Sequence, residues 1–166
     1  MRVISPSLLS ANFKNISSEI YRLEKIGVSR LHLDVMDGNF VPSITFGPII
    51  INSINNITKC HLETHLMIKN PRKSFDQFIE CGSKTIIFHY EASSNHIDDL
   101  IYLRNNNVLS GIALNPDTDE NNIIPLLDYL DYVLIMSVYP GKGGQKFINS
   151  TLEKMRRIVS LVKDKK

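Results

Sequence analysis

With 166 residues, 43% of them hydrophobic and 22% charged, the chain has the size and balance of one globular domain with a sizeable core. Nineteen basic against seventeen acidic residues leave a net charge of +2, and the basic residues are scattered, which argues against a nucleic-acid surface. No apolar run approaches the roughly 20 residues of a membrane span, and structure is expected to begin almost at Met1, with no room for a signal or transit segment.

The first apolar run, Val3–Leu8, reads as a strand. Ile16, Ile20 and Leu23 follow at helical spacing, and Gly27 is placed to stop that helix. The next strand, Arg30–Met36, has an odd alternation. Leu31, Leu33 and Val35 make one apolar face, whereas His32, Asp34 and Met36 share the other. Pro48 stands where a first helical residue belongs, ahead of Ile50–Ile54. A strand at His61–Met67 leads to a second helix introduced by Pro71, carrying Phe75, Phe78 and Ile79 and closed by Gly82. Beyond it come a strand at Thr85–His89 and a helix with Ile97, Leu100, Ile101 and Leu103. The pattern continues with a strand at Ser110–Asn115, a helix at Ile123–Leu130 and a strand at Tyr132–Val138. The last helix carries Leu152, Met155, Ile158, Val159 and Val162, and Lys163, Lys165 and Lys166 read as its solvated end. Cys60 and Cys81 are far apart and read as free, buried thiols of a reducing, cytoplasmic compartment.

Strands alternating with helices indicate parallel βαβ units, in either an open doubly wound sheet or a barrel. An open sheet covered on both faces should be apolar on both sides of each strand. Here Ser7, His32, Asp34, His65, His89 and Asn115 all fall at or near strand C-terminal ends, where a barrel builds its active site. The expected fold is therefore an α/β, (β/α)8 TIM-barrel type, with about six β/α units in a single domain over residues 1–166.

Several blocks together resemble the ribulose-phosphate 3-epimerase family. They are Pro6–Ala11, "LHLDVMDGNFVPSITFGP" from Leu31, "THLMIKNP" from Thr64, "FHYEA" from Phe88 and "MSVYPGKGGQKFI" from Met136, in that family's order and spacing. The resemblance implies a (β/α)8 barrel that interconverts D-ribulose 5-phosphate and D-xylulose 5-phosphate in the pentose phosphate pathway, with a divalent metal in the barrel mouth. The family barrel has eight units and this chain supplies six. The family's seventh strand, with a second catalytic aspartate that also binds metal, has no counterpart, nor does the glycine–serine loop after strand eight.

Under that resemblance His32, Asp34 and His65 converge as ligands of one divalent ion, zinc or else iron, manganese or cobalt. Asp34 becomes the general base that removes the C3 proton, next to a carbonyl, as an enediolate develops. Met36, Met67 and Met136, at equal depth on three strands, would form an apolar collar around it. The loop Gly141, Lys142, Gly143 and Gly144 would hold the phosphate through backbone N–H groups and the N-terminus of the following helix. Lys142 replaces an aromatic residue common in the family. Ser7 and His65 would contact the substrate, His89 is either a packed structural residue or an inward-facing one, and Asp37 and Asn39 shape a turn or touch the ligand.

Other readings stay open at this level. An allulose 6-phosphate epimerase is close in chemistry. Orotidine-type decarboxylases would need a lysine where Met36 stands. A non-catalytic remnant or a metal and sugar-phosphate binding protein belongs to a different class. With the outer strands of an incomplete barrel unpaired, a homo-oligomer is expected, acting on a small-molecule pentose phosphate with no nucleic-acid or membrane partner.

Overall fold

The computed structural model describes residues 3–163. Five strands form one parallel sheet in chain order, β1 (Arg30–Met36), β2 (His61–Met67), β3 (Thr85–His89), β4 (Leu109–Leu114) and β5 (Tyr132–Ile135). Helices α1 (Ile16–Lys25), α2 (Pro48–Asn55), α3 (Phe75–Glu80), α4 (His96–Asn105) and α5 (Thr151–Lys163) alternate with them. The architecture is an incomplete barrel of the (β/α)8 type.

The alternation seen in the sequence divides the sheet into two faces. Leu31, Leu33, Leu62, Leu66, Ile86, Phe88, Ile112 and Leu114 point outward and join Ile20, Ile51, Phe75, Phe78, Leu100 and Leu103 of the helices in the main core. The inner face carries a separate small cluster of Met36, Val41 and Met67. The sheet curls toward that inner face: Arg30 of β1 lies over the ring of Tyr132 on β5, 5.5 Å from its centroid, although these are the first and last strands.

Three helices end in the same way. Gly27, Gly82 and Asn107 adopt φ of +87°, +101° and +58°. In each case the following residue's N–H donates to the carbonyl of the third-last helical residue, as Val28 does to Leu23, Ser83 to Phe78 and Val108 to Leu103. This closure satisfies carbonyls left over by the helix and turns the chain directly into the next strand. Pro48 begins α2, as its fixed φ and missing N–H favour.

Several expectations are corrected. Val3–Leu8 is not a strand: only Ser7 bridges to His32, with the His32 N–H donating to the Pro6 carbonyl at 2.9 Å. Pro6 has no N–H to give a ladder, Val3 and Ile4 are exposed, and Leu8–Ser10 tightens at once into a 3₁₀ turn capped by Ser7. The Ile123–Leu130 helix is part of a 3₁₀ run, Glu120–Tyr129, with Pro125 inside it removing a backbone donor. Strand β5 stops at Ile135, short of Met136–Val138, and β4 at Leu114, short of Asn115. Pro71 opens a 3₁₀ turn, Pro71–Ser74, before α3. Cys81 is buried but Cys60 only partly so, and both are free. Lys165 and Lys166 lie outside the described residues.

Candidate active site

Strands β1 and β2 are in register so that His32 pairs with Glu63, Asp34 with His65 and Met36 with Met67. All six side chains therefore leave the same face of the sheet. Asp34 Oδ1 lies 3.3 Å from His32 Nε2 and 3.1 Å from His65 Nδ1. Those spacings are near the ~3.4 Å between two ligands that each sit about 2.1 Å from a tetrahedral ion. The three donor atoms all fall within 4.8 Å of one another. Two imidazoles and a carboxylate are a donor set suited to zinc or another first-row divalent ion, so the residues present fit such an ion.

The surroundings fix these groups further. His32 Nδ1 is 2.7 Å from Glu63 Oε1. Behind His65, Nε2 is 2.9 Å from His89 Nε2, and His89 Nδ1 is 3.2 Å from Glu91 Oε2. Carboxylates behind metal-binding imidazoles orient the rings and raise their basicity. Burial opposes charge on His32, but hydrogen bonds to Asp34 and Glu63 outweigh it and raise the group to about 9. Burial likewise opposes ionisation of Asp34, and the hydrogen bond and charge of His32 lead the effects that hold it well below the usual carboxylate range. Full burial drives His65 down to about 4.

Asp34 also borders a cavity of about 210 Å³ that opens above the cluster. Its lining includes Ser7, the three methionines Met36, Met67 and Met136, and Gly141, Lys142 and Gly143. Larger clefts lie along the β5–α5 edge and beside Cys60, away from the histidines. Of the residues expected at the substrate, His65 and Gly144 stand outside the cavity lining, and His65 is buried behind Asp34. Ser7 is committed locally: its hydroxyl donates to Asp34 Oδ2 at 2.5 Å and accepts the Leu9 N–H. Met36 and Met67 are ladder partners, but Met136 follows the end of β5, its N–H donating to the Leu114 carbonyl.

The glycine loop folds over Val41 and Leu9. Gly141 has φ +114°, and a Cβ there would meet Val41 Cβ at 3.1 Å, so a side chain would be strained by the backbone and tightly placed as well. Gln145 Nε2 donates to the carbonyls of Tyr139 and Lys142 and closes the loop. The expected helix N-terminus is not there: α5 begins only at Thr151, after the Ile148 N–H has donated to the Ser137 carbonyl. An anion at this loop would rely on its backbone N–H groups and Lys142. Asp37 spends its carboxylate on the N–H groups of Asn39, Phe40 and Lys69, so it shapes the turn.

Sequence reasoning passed over Glu63 and Glu91. Strand parity was the available signal for Glu63, two residues before His65 on the same face. Glu91 follows His89 by only two residues, but it lies in the 3₁₀ turn Tyr90–Ala92, where strand parity no longer applies.

A model of the family described as "Ribulose-phosphate 3 epimerase family" matches residues 3–166. The ribulose-phosphate 3-epimerase of Bacillus subtilis is 39% identical over 162 residues, covering 98% of this chain and 75% of that protein. Enzymes of the same name from Chlamydia pneumoniae and Schizosaccharomyces pombe are 40% and 41% identical, each covering 92% of this chain and 67% and 68% of the relative. The chain thus spans about two thirds to three quarters of these relatives' length, and by family match and identity alike it belongs to the ribulose-phosphate 3-epimerase family of isomerases.

Proposed function

We propose that the chain epimerises C3 of D-ribulose 5-phosphate to give D-xylulose 5-phosphate, serving the pentose phosphate pathway in the cytoplasm. The observation that carries this is the double position of Asp34. One of its oxygens belongs to the His32–His65 cluster, and the residue also borders the cavity that ends in the glycine loop. Names of the relatives point to the same substrate, and one relative, from Oryza sativa, is named as a cytoplasmic isoform. Among the described residues no helix is long and apolar enough to cross a membrane.

His32 Nε2, Asp34 Oδ1 and His65 Nδ1 would hold a divalent ion. When bound, that ion would supply positive charge to offset the negative charge that develops on the substrate oxygens as the C3 proton is lost. Asp34 takes the C3 proton, and the Ser7 hydroxyl, donating to Oδ2, holds that oxygen in place. Met36, Met67 and Met136 exclude water from the carbanion face without offering it a proton. Gly141, Gly143 and Gly144 free the loop backbone to approach a phosphate, and Lys142 adds a cation beside it.

Among the described residues lining the cavity, Asp34 is the one carboxylate. Proton removal and return on that face should therefore outrun inversion, by about 10²–10⁴-fold, the usual contribution of a positioned acid or base. Proton NMR of D-ribulose 5-phosphate in heavy water reads both events. Deuterium is expected at C3 with the wild-type protein and is expected to vanish with Asp34→Asn. Exchange that survives Asp34→Asn would refute the role of Asp34, and inversion keeping pace with exchange would show a second acid at work.

A further inference from the structure

We infer that Glu91, acting through His89, fixes His65 in the tautomer that turns a bare Nδ1 toward Asp34, which makes Glu91 a positioning residue for the ion-binding cluster. This rests on the reading of His32, Asp34 and His65 as a metal centre, and no role in it attaches to Glu91 by sequence pattern.

Glu91 Oε1 accepts the Asn115 N–H at 3.0 Å and the Thr118 hydroxyl, both from the loop after β4. Burial disfavours charge on Glu91, but bonds from His89, Thr118 and Asn115 outweigh it and hold the group down at about 2. It is a carboxylate at neutral pH and can only accept. His89 Nδ1, 3.2 Å from Oε2, must then carry the hydrogen. Placed on Nδ1, that hydrogen leaves Nε2 as the acceptor of the ring, facing His65 Nε2 at 2.9 Å. That contact needs one hydrogen, so it sits on His65 Nε2. His65 Nδ1 is therefore bare, and it lies 3.1 Å from the carboxylate oxygen of Asp34.

Two acceptors now face each other, and a cation between them would use both lone pairs. The opposite tautomers would instead set a His89 lone pair against the Glu91 carboxylate. The open lone pair of His65 is thus imposed from Glu91, two imidazoles away. The loop that grips Glu91 is itself pinned. Lys154, only 5% exposed, donates from Nζ to the carbonyls of Asn115, Pro116 and Thr118 at 2.9, 2.6 and 2.6 Å.

The test compares metal-free wild type, Glu91→Gln and Glu91→Asp by two-dimensional ¹⁵N NMR of the histidine rings, and measures Zn²⁺ affinity by chelator competition. The wild type should show His65 with its hydrogen on Nε2. A glutamine amide can donate or accept, so Glu91→Gln should give mixed tautomers and bind Zn²⁺ about 10–100-fold more weakly, the usual effect of losing such a partner. Glu91→Asp should restore most of both. A wild-type His65 with its hydrogen on Nδ1 overturns the inference. So does a Glu91→Gln protein whose tautomer and Zn²⁺ affinity match wild type. If the wild type binds no Zn²⁺ the metal reading falls, but the tautomer comparison still decides the role of Glu91. Should Glu91→Gln fail to fold, the wild-type spectrum alone still decides, since His65 with its hydrogen on Nδ1 overturns the inference.

Discussion

A divalent ion entering between His32, Asp34 and His65 should expel one proton at pH 7, and its affinity should rise about tenfold per pH unit up to pH 9. His32 sets both figures. Its ring is clamped between Glu63 Oε1 at 2.7 Å and Asp34 Oδ1 at 3.3 Å, and its side chain is 13% exposed. With its pKa at about 9 it is an imidazolium at neutral pH, so Nε2 holds a proton where an ion needs a lone pair. His65, at about 4, is already neutral and contributes no second proton. Two pH units below the His32 value correspond to about 100-fold in apparent affinity, or about 2.7 kcal/mol. Calorimetric titration with Mn²⁺ between pH 6.5 and 8.5, in buffers of different ionisation heat, measures the affinity slope and the proton count together. A flat affinity over that range, or release of two protons, would refute the reasoning.

The metal-free fold should feel the same groups. The unfolded value of histidine is 6.5, so the His32 contribution is complete below that pH and is lost as pH climbs through 9. His65 works from the other side: depressed to about 4, it favours the fold above pH 6.5 and withdraws that support as pH falls toward 4. Melting temperature in chelator should peak between the two windows, and a monotonic rise from pH 6 to 10 would contradict this. Gly82→Ala should cost about 1–3 kcal/mol, because φ +101° strains any side chain and the new Cβ would lie 2.4 Å from the Asn55 amide. Urea unfolding gives the value, and a change under 0.5 kcal/mol would mean that α3 can end differently. Lys154→Met should remove about 2–3 kcal/mol, since three carbonyls lose a charged donor in a buried place. Equal stability by the same assay would show that water replaces it.

Much of the fold was legible because parity and punctuation agree. Leu31, Leu33 and Val35 against His32, Asp34 and Met36 fixed both the strand and its two destinies, and Gly27, Pro48 and Gly82 marked helix ends that the backbone confirms. The failures are local overrides. Pro6 and Pro125 each remove a donor from a run whose apolar content looked regular, and neither a strand nor an α-helix survives that loss. Asn107 fills the same left-handed position as the two glycines without advertising it. At the site, the residues on one strand could be grouped by spacing. Glu91 could not, because strand parity ends at His89 and its other partners, Asn115 and Thr118, come from the next βα unit.

The division of the sheet into an apolar outer face and a polar inner one has a consequence for how such a protein can vary. Neighbouring codons serve different masters: Leu33 answers to the helices, and Asp34 answers to the ligand. A substitution at Ile87 or Ala113, both inner-face positions, alters the inner face of the sheet while Ile86, Phe88 and Ile112 keep the main core intact. Chemistry and cohesion are thus inherited nearly independently, interleaved residue by residue along the same five strands.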